Sequence, residues 1–407
     1  MKIFRKIHLW LSVPFGIIIA LVCFSGAMLI FEPEITRSAH SDVYYVASAE
    51  GEPLPMEQLL ESVKSTLPDS VAITGVTVFA DKNRTYQVNL SKPQRASVFV
   101  DQYTGEITGR YERIGFFSTM FKLHRWLLDS ANPHGDGVKV GKLLVGISVL
   151  VFVVALITGA VLWWQRARKN FRHSMSISVR KGWSGFWKSL HVAGGMYALI
   201  LVLAMALTGL TWSFDWYRSA FYAVCGVEHT PRNVQSAGGG KAHGEGGRGE
   251  GRGNHDSGEG RHGRHGDGEG HHGNGEGRHH SEFGRWQQVY DALKAENPDA
   301  PQITIGYETA SVAKGTTGNL RASDGYTFNR RSGEITPATT YENARPADKL
   351  RGWIYSVHTG AFGGIATRIL WLLGALLGAS LPITGYYIWI KHLYKKKKNS
   401  KQTPAKA

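Results

Sequence analysis

Cysteine is nearly missing from the 407-residue chain, which has only Cys23 and Cys225. Two cysteines cannot build a disulfide framework, and Cys23 falls inside an apolar run, so covalent cross-links do not organise this chain. Acidic residues are also scarce, 32 against 47 lysines and arginines, leaving a formal net charge of +15. The sequence offers no catalytic triad and no carboxylate pair at a fixed spacing, so the side chains for hydrolytic acid–base work are lacking. Overall hydrophobicity is low as well, with a slightly negative mean hydropathy. That average hides the main feature, because a polar glycine- and histidine-rich tract dilutes four long apolar runs.

The runs are residues 9–31, 143–164, 192–212 and 369–390. Each is about 20 residues long, enough to cross a hydrocarbon core. The first exceeds the apolar region of a signal peptide, and no clear A-x-A cleavage site follows directly behind it, so it reads as a span. Basic residues hug the ends of the runs. Lys2, Arg5 and Lys6 precede the first; Arg166, Arg168, Lys169, Arg172, Arg180, Lys181 and Lys188 fill the link between the second and third; Lys391 and Lys395 to Lys398 follow the fourth. The positive-inside rule then predicts cytoplasmic termini and a cytoplasmic link, with both long loops on the outside. Charge this close to membrane ends suits lipid and does not suit nucleic acid.

The predicted fold is membrane α-helical: a four-helix transmembrane bundle from a tandem duplication, with two small α+β domains outside. Residues 1–35 form the first membrane helix and 36–115 the first outside domain. An amphipathic approach (116–140) leads to the second helix (141–165). A cytoplasmic link (166–188) leads to the third (189–213). The second outside domain covers 214–350, the second approach and fourth helix 351–391, and a basic tail 392–407. Within the first outside domain, periodicity predicts a helix over 56–67 and strands over 72–79, 85–90 and 96–100, then a turn and a short strand. Within the second it predicts a helix over 286–295 and strands at 303–307 and 319–322. The stretch 325–335 resembles 98–107.

Residues 238–280 are low in complexity and hold eight of the seventeen histidines. No apolar group there can build a core, so disorder is expected. Clustered imidazoles make His262, His265, His271, His272, His279 and His280 candidates for weak, exchangeable divalent-metal binding, with a plain flexible insertion as the alternative.

The duplicated unit carries the chemistry. One copy reads F-R-K-I-H-L-W from Phe4 and the other W-K-S-L-H-V-A from Trp187. His8 and His191 lie where the runs begin, each eighteen positions before a glycine, Gly26 and Gly209. All four runs carry a hydroxyl–glycine pair: Ser25-Gly26, Thr158-Gly159, Thr208-Gly209 and Thr384-Gly385. His124 and His358 precede the second and fourth runs. An ionisable residue inside a membrane segment is costly and marks a functional candidate. Topology allows two close pairs, His8 with His191 and His124 with His358, each at one depth on different helices. Two neutral imidazoles facing across a bundle suit bis-histidine haem b, an inner haem on the first pair and an outer one on the second. Trp10, Trp187, Trp126, Trp353 and Tyr355 are candidate packing aromatics. Arg125 and Arg351 are candidate propionate contacts at the outer haem, Arg5 and Lys188 at the inner. Proton relay and metal transport use the same residue type, and the pattern leaves both open. His134 is a substitute outer ligand with no counterpart in the second half. His40, His173, His229 and His392 read as surface residues.

The run F-V-D-Q-Y-T-G-E-I-T-G from Phe99 is similar to the end of a PepSY domain. K-L-H-R-W-L from Lys122 and the leading R-K-I-H-L-W-L resemble the PepSY-associated transmembrane family. The resemblance covers nearly the whole chain outside the Gly/His tract. It implies PepSY-like outside domains in a bacterial inner-membrane protein. It also implies an electron path through two b haems on His8, His191, His124 and His358, ending at a ferric siderophore or other ferric chelate. The donor is expected to be separate, a soluble reductase or membrane quinol, because the lysine-rich end lacks the fused flavin domain of some relatives. Reduction weakens the grip of oxygen chelators on hard ferric iron, so the reaction needs no protein nucleophile. Lys122 and Arg351 are candidate attractors of an anionic chelate. A non-enzymatic PepSY sensor or protease regulator, and a metal transporter collecting through the Gly/His tract, are the alternative readings.

Overall fold

The structure is a computed structural model that describes residues 2–93, 96–129, 140–180, 182–228, 283–315 and 318–401, with side chains to 395. His134, His229 and the tract 238–280, with its six candidate metal-binding histidines, lie outside the described residues.

The first half runs α1 (Lys2–Leu29), α2 (Glu32–Ala39), α3 (Ser41–Tyr44), α4 (Met56–Ser65), β1 (Ile73–Phe79), β2 (Tyr86–Leu90), β3 (Ser97–Val100), β4 (Ile107–Arg110), α5 (Gly115–Trp126) and α6 (Val140–Ala167). A connection containing α7 (Phe171–Met175) follows. The second half runs α8 (Gly182–Ser189), a π-helical turn (Leu190–Gly194), α9 (Gly195–Ser213), α10 (Asp215–Val224), α11 (Trp286–Glu296), β5 (Gln302–Gly306), β6 (Thr309–Ala313), β7 (Ser323–Phe328), β8 (Ile335–Thr339), α12 (Pro346–Thr359) and α13 (Gly364–Lys401).

Among the described residues, four helical stretches are long and apolar enough to cross a membrane: Lys2–Leu29, Val140–Ala167, Gly182–Ser213 and Ala361–Lys395. They form a closed ring in which α1 packs on α6 and α13, and α9 packs on the same two. Ile19, Phe152, Leu156, Ala198 and Val202 meet in its middle. The opposite faces stay apolar and uncovered, with Ile200 77% and Ile17 65% exposed. A face of that kind is stable against lipid and not against water. The protein is therefore a multi-pass membrane protein.

The two segments expected as separate small domains are joined. Their strands make one antiparallel eight-stranded sheet, ordered β4-β3-β2-β1-β5-β6-β7-β8. The seam is the β1–β5 pair, from Gly75↔Gly306 to Phe79↔Gln302. A Cβ on Gly75 would come within 2.7 Å of the Ile305 carbonyl oxygen, so the strands need a glycine there to close. Helices α4 and α11 lie side by side over the sheet and share one core. Leu59, Leu60 and Val63 meet Trp286, Val289 and Leu293 above Val76, Val88, Ile305 and Val312. Pairing at the seam lets both helices bury against a common layer and enlarges the core that either half has alone.

Most predicted elements are present. Residues 319–322 are not a strand, because the Asn319 side chain accepts from the Arg321 N–H at 3.1 Å and its carbonyl accepts from Ala322 N–H, closing a turn. The strand is instead Thr309–Ala313, whose small residues gave a weak periodic signal.

Two carboxylates tie the first helix to its neighbours at the sheet end of the bundle. Glu32 accepts two bonds from Arg113, at 2.5 Å each. Glu34 accepts two from Arg368 of α13, at 2.5 and 2.7 Å, and Arg368 also donates to the Ile30 carbonyl. The Arg368 bond holds the Glu34 carboxyl below its ordinary range against opposing burial.

Oxidised Thr77→Cys/Thr304→Cys protein is expected to yield the disulfide-linked peptide by mass spectrometry, because these residues are Cα partners with hydroxyl oxygens 2.9 Å apart. Failure to cross-link would rule out the fused sheet. The Glu34 interaction stabilises above the unfolded carboxyl pKa of about 4.3 and is lost as pH falls through the depressed folded value. Glu34→Gln is therefore expected to lower the thermal midpoint at neutral pH, with the difference from the parent closing in acid. A difference that persists unchanged at pH 3 would contradict this.

Candidate functional site

Each of the four histidines leaves its own segment and docks on the hydroxyl–glycine pair of a different helix. His8 Nδ1 donates to the Ala155 carbonyl of α6 at 3.0 Å, with the Thr158 hydroxyl at 3.2 Å. His124, on α5, returns the contact by donating to the Val22 carbonyl of α1 at 2.9 Å. In the second half, His191 Nδ1 donates to the Leu381 carbonyl of α13 at 3.1 Å, with Thr384 Oγ1 at 2.8 Å. His358, on α12, donates to the Met205 carbonyl of α9 at 3.0 Å, with Thr208 Oγ1 at 3.1 Å.

The acceptor is always the carbonyl three residues before the serine or threonine. A helical carbonyl already bonded to its own ladder keeps a second lone pair, which the imidazole takes. The glycine after the hydroxyl residue clears the approach. A Cβ at Gly26 would meet His124 Cε1 at 2.8 Å, and one at Gly209 would meet His358 Cε1 at 3.0 Å. At Gly159 and Gly385 the corresponding distances, to His8 and His191, are 3.3 and 3.4 Å. With Nδ1 holding its proton against a carbonyl, Nε2 is the nitrogen with the free lone pair.

The exchange brings the histidines together in two levels. The His8 and His191 rings have centroids 6.3 Å apart. The His124 and His358 rings are 6.1 Å apart. The second level lies at the sheet end and the first at the far end. Along α1, His8 and Val22 are separated by roughly 20 Å of helix rise. His191 sits in the π-helical turn, a local widening that turns are known to use at functional sites. Among the described residues, histidine, cysteine, aspartate and glutamate form no cluster of three or more. The donor set on offer is therefore paired imidazoles, two neutral nitrogens per level.

The aromatic candidates take varied positions. Trp10 is 75% exposed on the outer side of α1. Trp187 packs against Trp183, Phe186 and Tyr387. Trp126 is buried against Phe121, Tyr355 lies under Arg321, and Trp353 is partly exposed. The tryptophan that reaches a site histidine is Trp212, edge-on to His358 at 5.1 Å. It closes the third apolar run, where the sequence marks it only as part of the span. Arg125 places its guanidinium over Phe121 and Trp126. Arg351 is exposed on α12. Its charge adds to the burial that pushes Arg321 below the ordinary guanidinium range. Arg321 is thus a further basic residue at this end, unmarked in sequence because it lies in a turn. Arg5, Lys188, His173 and His392 are exposed at the far end, and His40, between α2 and α3, is exposed at the sheet end. Lys122 is exposed on α5, and both cysteines are free.

The four spans, the fused sheet and the two imidazole levels define a multi-pass helical membrane protein with paired nitrogen donors inside its bundle. The chain belongs to the PepSY-associated TM region family, whose sequence model matches residues 5–392. No curated protein matches the sequence.

Alanine at each docking glycine is expected to destabilise in the order of the clearances. Gly26→Ala and Gly209→Ala crowd their rings and cost about 1–3 kcal/mol, whereas Gly159→Ala and Gly385→Ala cost less. Thermal unfolding of the purified variants reads this out, and the reverse order would contradict the docking geometry.

Proposed function

We propose that the chain is a transmembrane electron-transfer protein that holds two b-type haems, one between His8 and His191 and one between His124 and His358. Each level has the donor set the group requires. A metal between two imidazoles needs ring centres about 6 Å apart, since each metal–nitrogen bond is about 2 Å and each nitrogen lies about 1 Å from its ring centre. The separations of 6.3 and 6.1 Å fit that requirement at both levels. This match is the observation that carries the reading. A proton relay needs no such separation, and a transport site would gather more than two ligands.

A haem held this way supplies a reversible one-electron step between ferric and ferrous iron. The chain's own groups do the rest. The Nδ1–carbonyl bonds fix the tautomer and aim of each imidazole. The docking glycines let the rings come close to the helices that hold them. The apolar residues between the levels, Ile19, Phe152, Leu156 and Val202 among them, keep water and protons out of the middle.

Basic residues set the direction. Arg5, Lys6, Arg166, Arg168, Lys188 and Lys391 gather at the far end, which is the cytoplasmic side by the positive-inside rule. Both termini are then cytoplasmic, in a bacterial inner membrane, and the sheet with its PepSY-like halves is periplasmic. The equivalent path of the two halves reflects a tandem duplication. Electrons enter at the His8–His191 level from a separate reductase or quinol and leave at the His124–His358 level. The acceptor is a ferric chelate of the siderophore class, anionic and drawn by Arg321, Arg351 and Lys122 at the sheet end. Ferrous iron is softer than ferric iron and is released by hard oxygen donors. The activity is ferric-chelate reduction.

Protein purified after expression with ample haem is expected to show a b-type spectrum with two haems per chain. His8→Ala or His191→Ala should each remove one of them, and His124→Ala or His358→Ala the other. Colourless parent protein, or variants that all keep both haems, would end the proposal.

A further inference from the structure

The two histidine levels are not supported equally. Of the four docking sites, three present a threonine whose hydroxyl also reaches the ring nitrogen. Thr158 and Thr384 serve the two histidines of the far level, at 3.2 and 2.8 Å. Thr208 serves His358 of the sheet level at 3.1 Å. The fourth site has Ser25. Its hydroxyl donates to the Leu21 and Val22 carbonyls, at 2.6 and 3.2 Å, and makes no bond to His124. Among the described residues the His124 ring keeps one acceptor, the Val22 carbonyl. The far level thus has four acceptors on its two Nδ1–H groups, and the sheet level has three.

We propose that this difference makes the electron path downhill, from the His8–His191 level to the His124–His358 level. The inference rests on the dihaem reading. An acceptor on Nδ1–H draws the proton away from the ring and makes Nε2 a stronger donor. A stronger donor favours the ferric state and lowers the reduction potential of the iron it holds. The fully supported far level therefore has the lower potential. In each transfer one electron is lost at the His8–His191 level and one is gained at the His124–His358 level. No proton or atom changes partner. The donor class that reloads the first level is the reductase or quinol, and the ferric chelate empties the second.

The threonines act as positioning residues, through the imidazoles and not on the acceptor. Each hydroxyl also donates to carbonyls of its own helix, as with Thr158 to Val154 and Ala155 at 2.8 and 3.0 Å. Its lone pairs therefore face the ring, and valine at the same place keeps the shape while removing the acceptor.

The test is potentiometric titration of the full-length, haem-loaded protein, followed by visible absorbance, with haem counted per chain. The parent should titrate in two separate one-electron waves. Thr158→Val and Thr384→Val, which address one haem from opposite sides, should each raise the lower wave. The shift should be about tenfold in the reduction equilibrium, ~59 mV for one electron. Thr208→Val should raise the upper wave and leave the lower one in place. Thr158→Ser, which keeps a hydroxyl, should shift the lower wave less than Thr158→Val does, and Ser25→Ala should move neither wave. A single shared potential, a shift of the upper wave by Thr158→Val, or an Ser25→Ala shift equal to that of Thr208→Val would each overturn the inference. Protein that binds no haem would instead overturn the parent reading.

Discussion

A side-chain N–H held by the carbonyl of a foreign helix is the interaction on which the bundle depends. An imidazole buried between apolar helices must satisfy its ring N–H, and no water is available inside the bundle to do it. The acceptor is a carbonyl whose own ladder bond is already made. The ring has to come close to reach that carbonyl, and glycine clears the approach, most critically at Gly26 and Gly209. The hydroxyl residue three positions after the carbonyl marks the spot. Four repetitions of the same device, exchanged two and two within each half, hold α1, α6, α9 and α13 at fixed depth. Packing alone would let such helices slide, since lipid solvates their apolar faces as well as they solvate each other.

The sheet solves a different problem, at the end of the bundle. Each half contributes a four-stranded meander and one helix, a small core that grows when the two are joined. Pairing β1 with β5 joins the meanders edge to edge, and α4 and α11 then cover one layer together. The same pairing removes two open strand edges. Through Glu32–Arg113 and Glu34–Arg368, the segments that leave α1 are tied to the approach to α5 and to α13. The sheet and the histidine level nearest to it are therefore braced by the same elements.

The proposed electron path follows from this frame. Two imidazole pairs at separate depths, joined by a dry apolar middle, suit a carrier that passes electrons and blocks protons. The second reading of the hydroxyl–glycine pairs, as support for the ring nitrogens, explains why threonine recurs where any small residue would have left room. Ser25 is the exception, and its effect is confined to one ring.

The amino-acid sequence by itself determined the four spans, because hydrophobic length is a local property, and it marked the four histidines, because the recurring spacing to glycine is visible on the chain. It also showed most strands and the helices at Met56–Ser65 and Trp286–Glu296, whose periodicities are short-range. Only the tertiary structure decided which helix receives which histidine, since His8 finds its acceptor 147 residues away and His191 finds one 190 residues away. The seam between β1 and β5, the role of Trp212 and the separation of Ser25 from the three threonines belong to the same class. Each depends on atoms that are distant along the chain and adjacent in space, and no local pattern of residues records that adjacency.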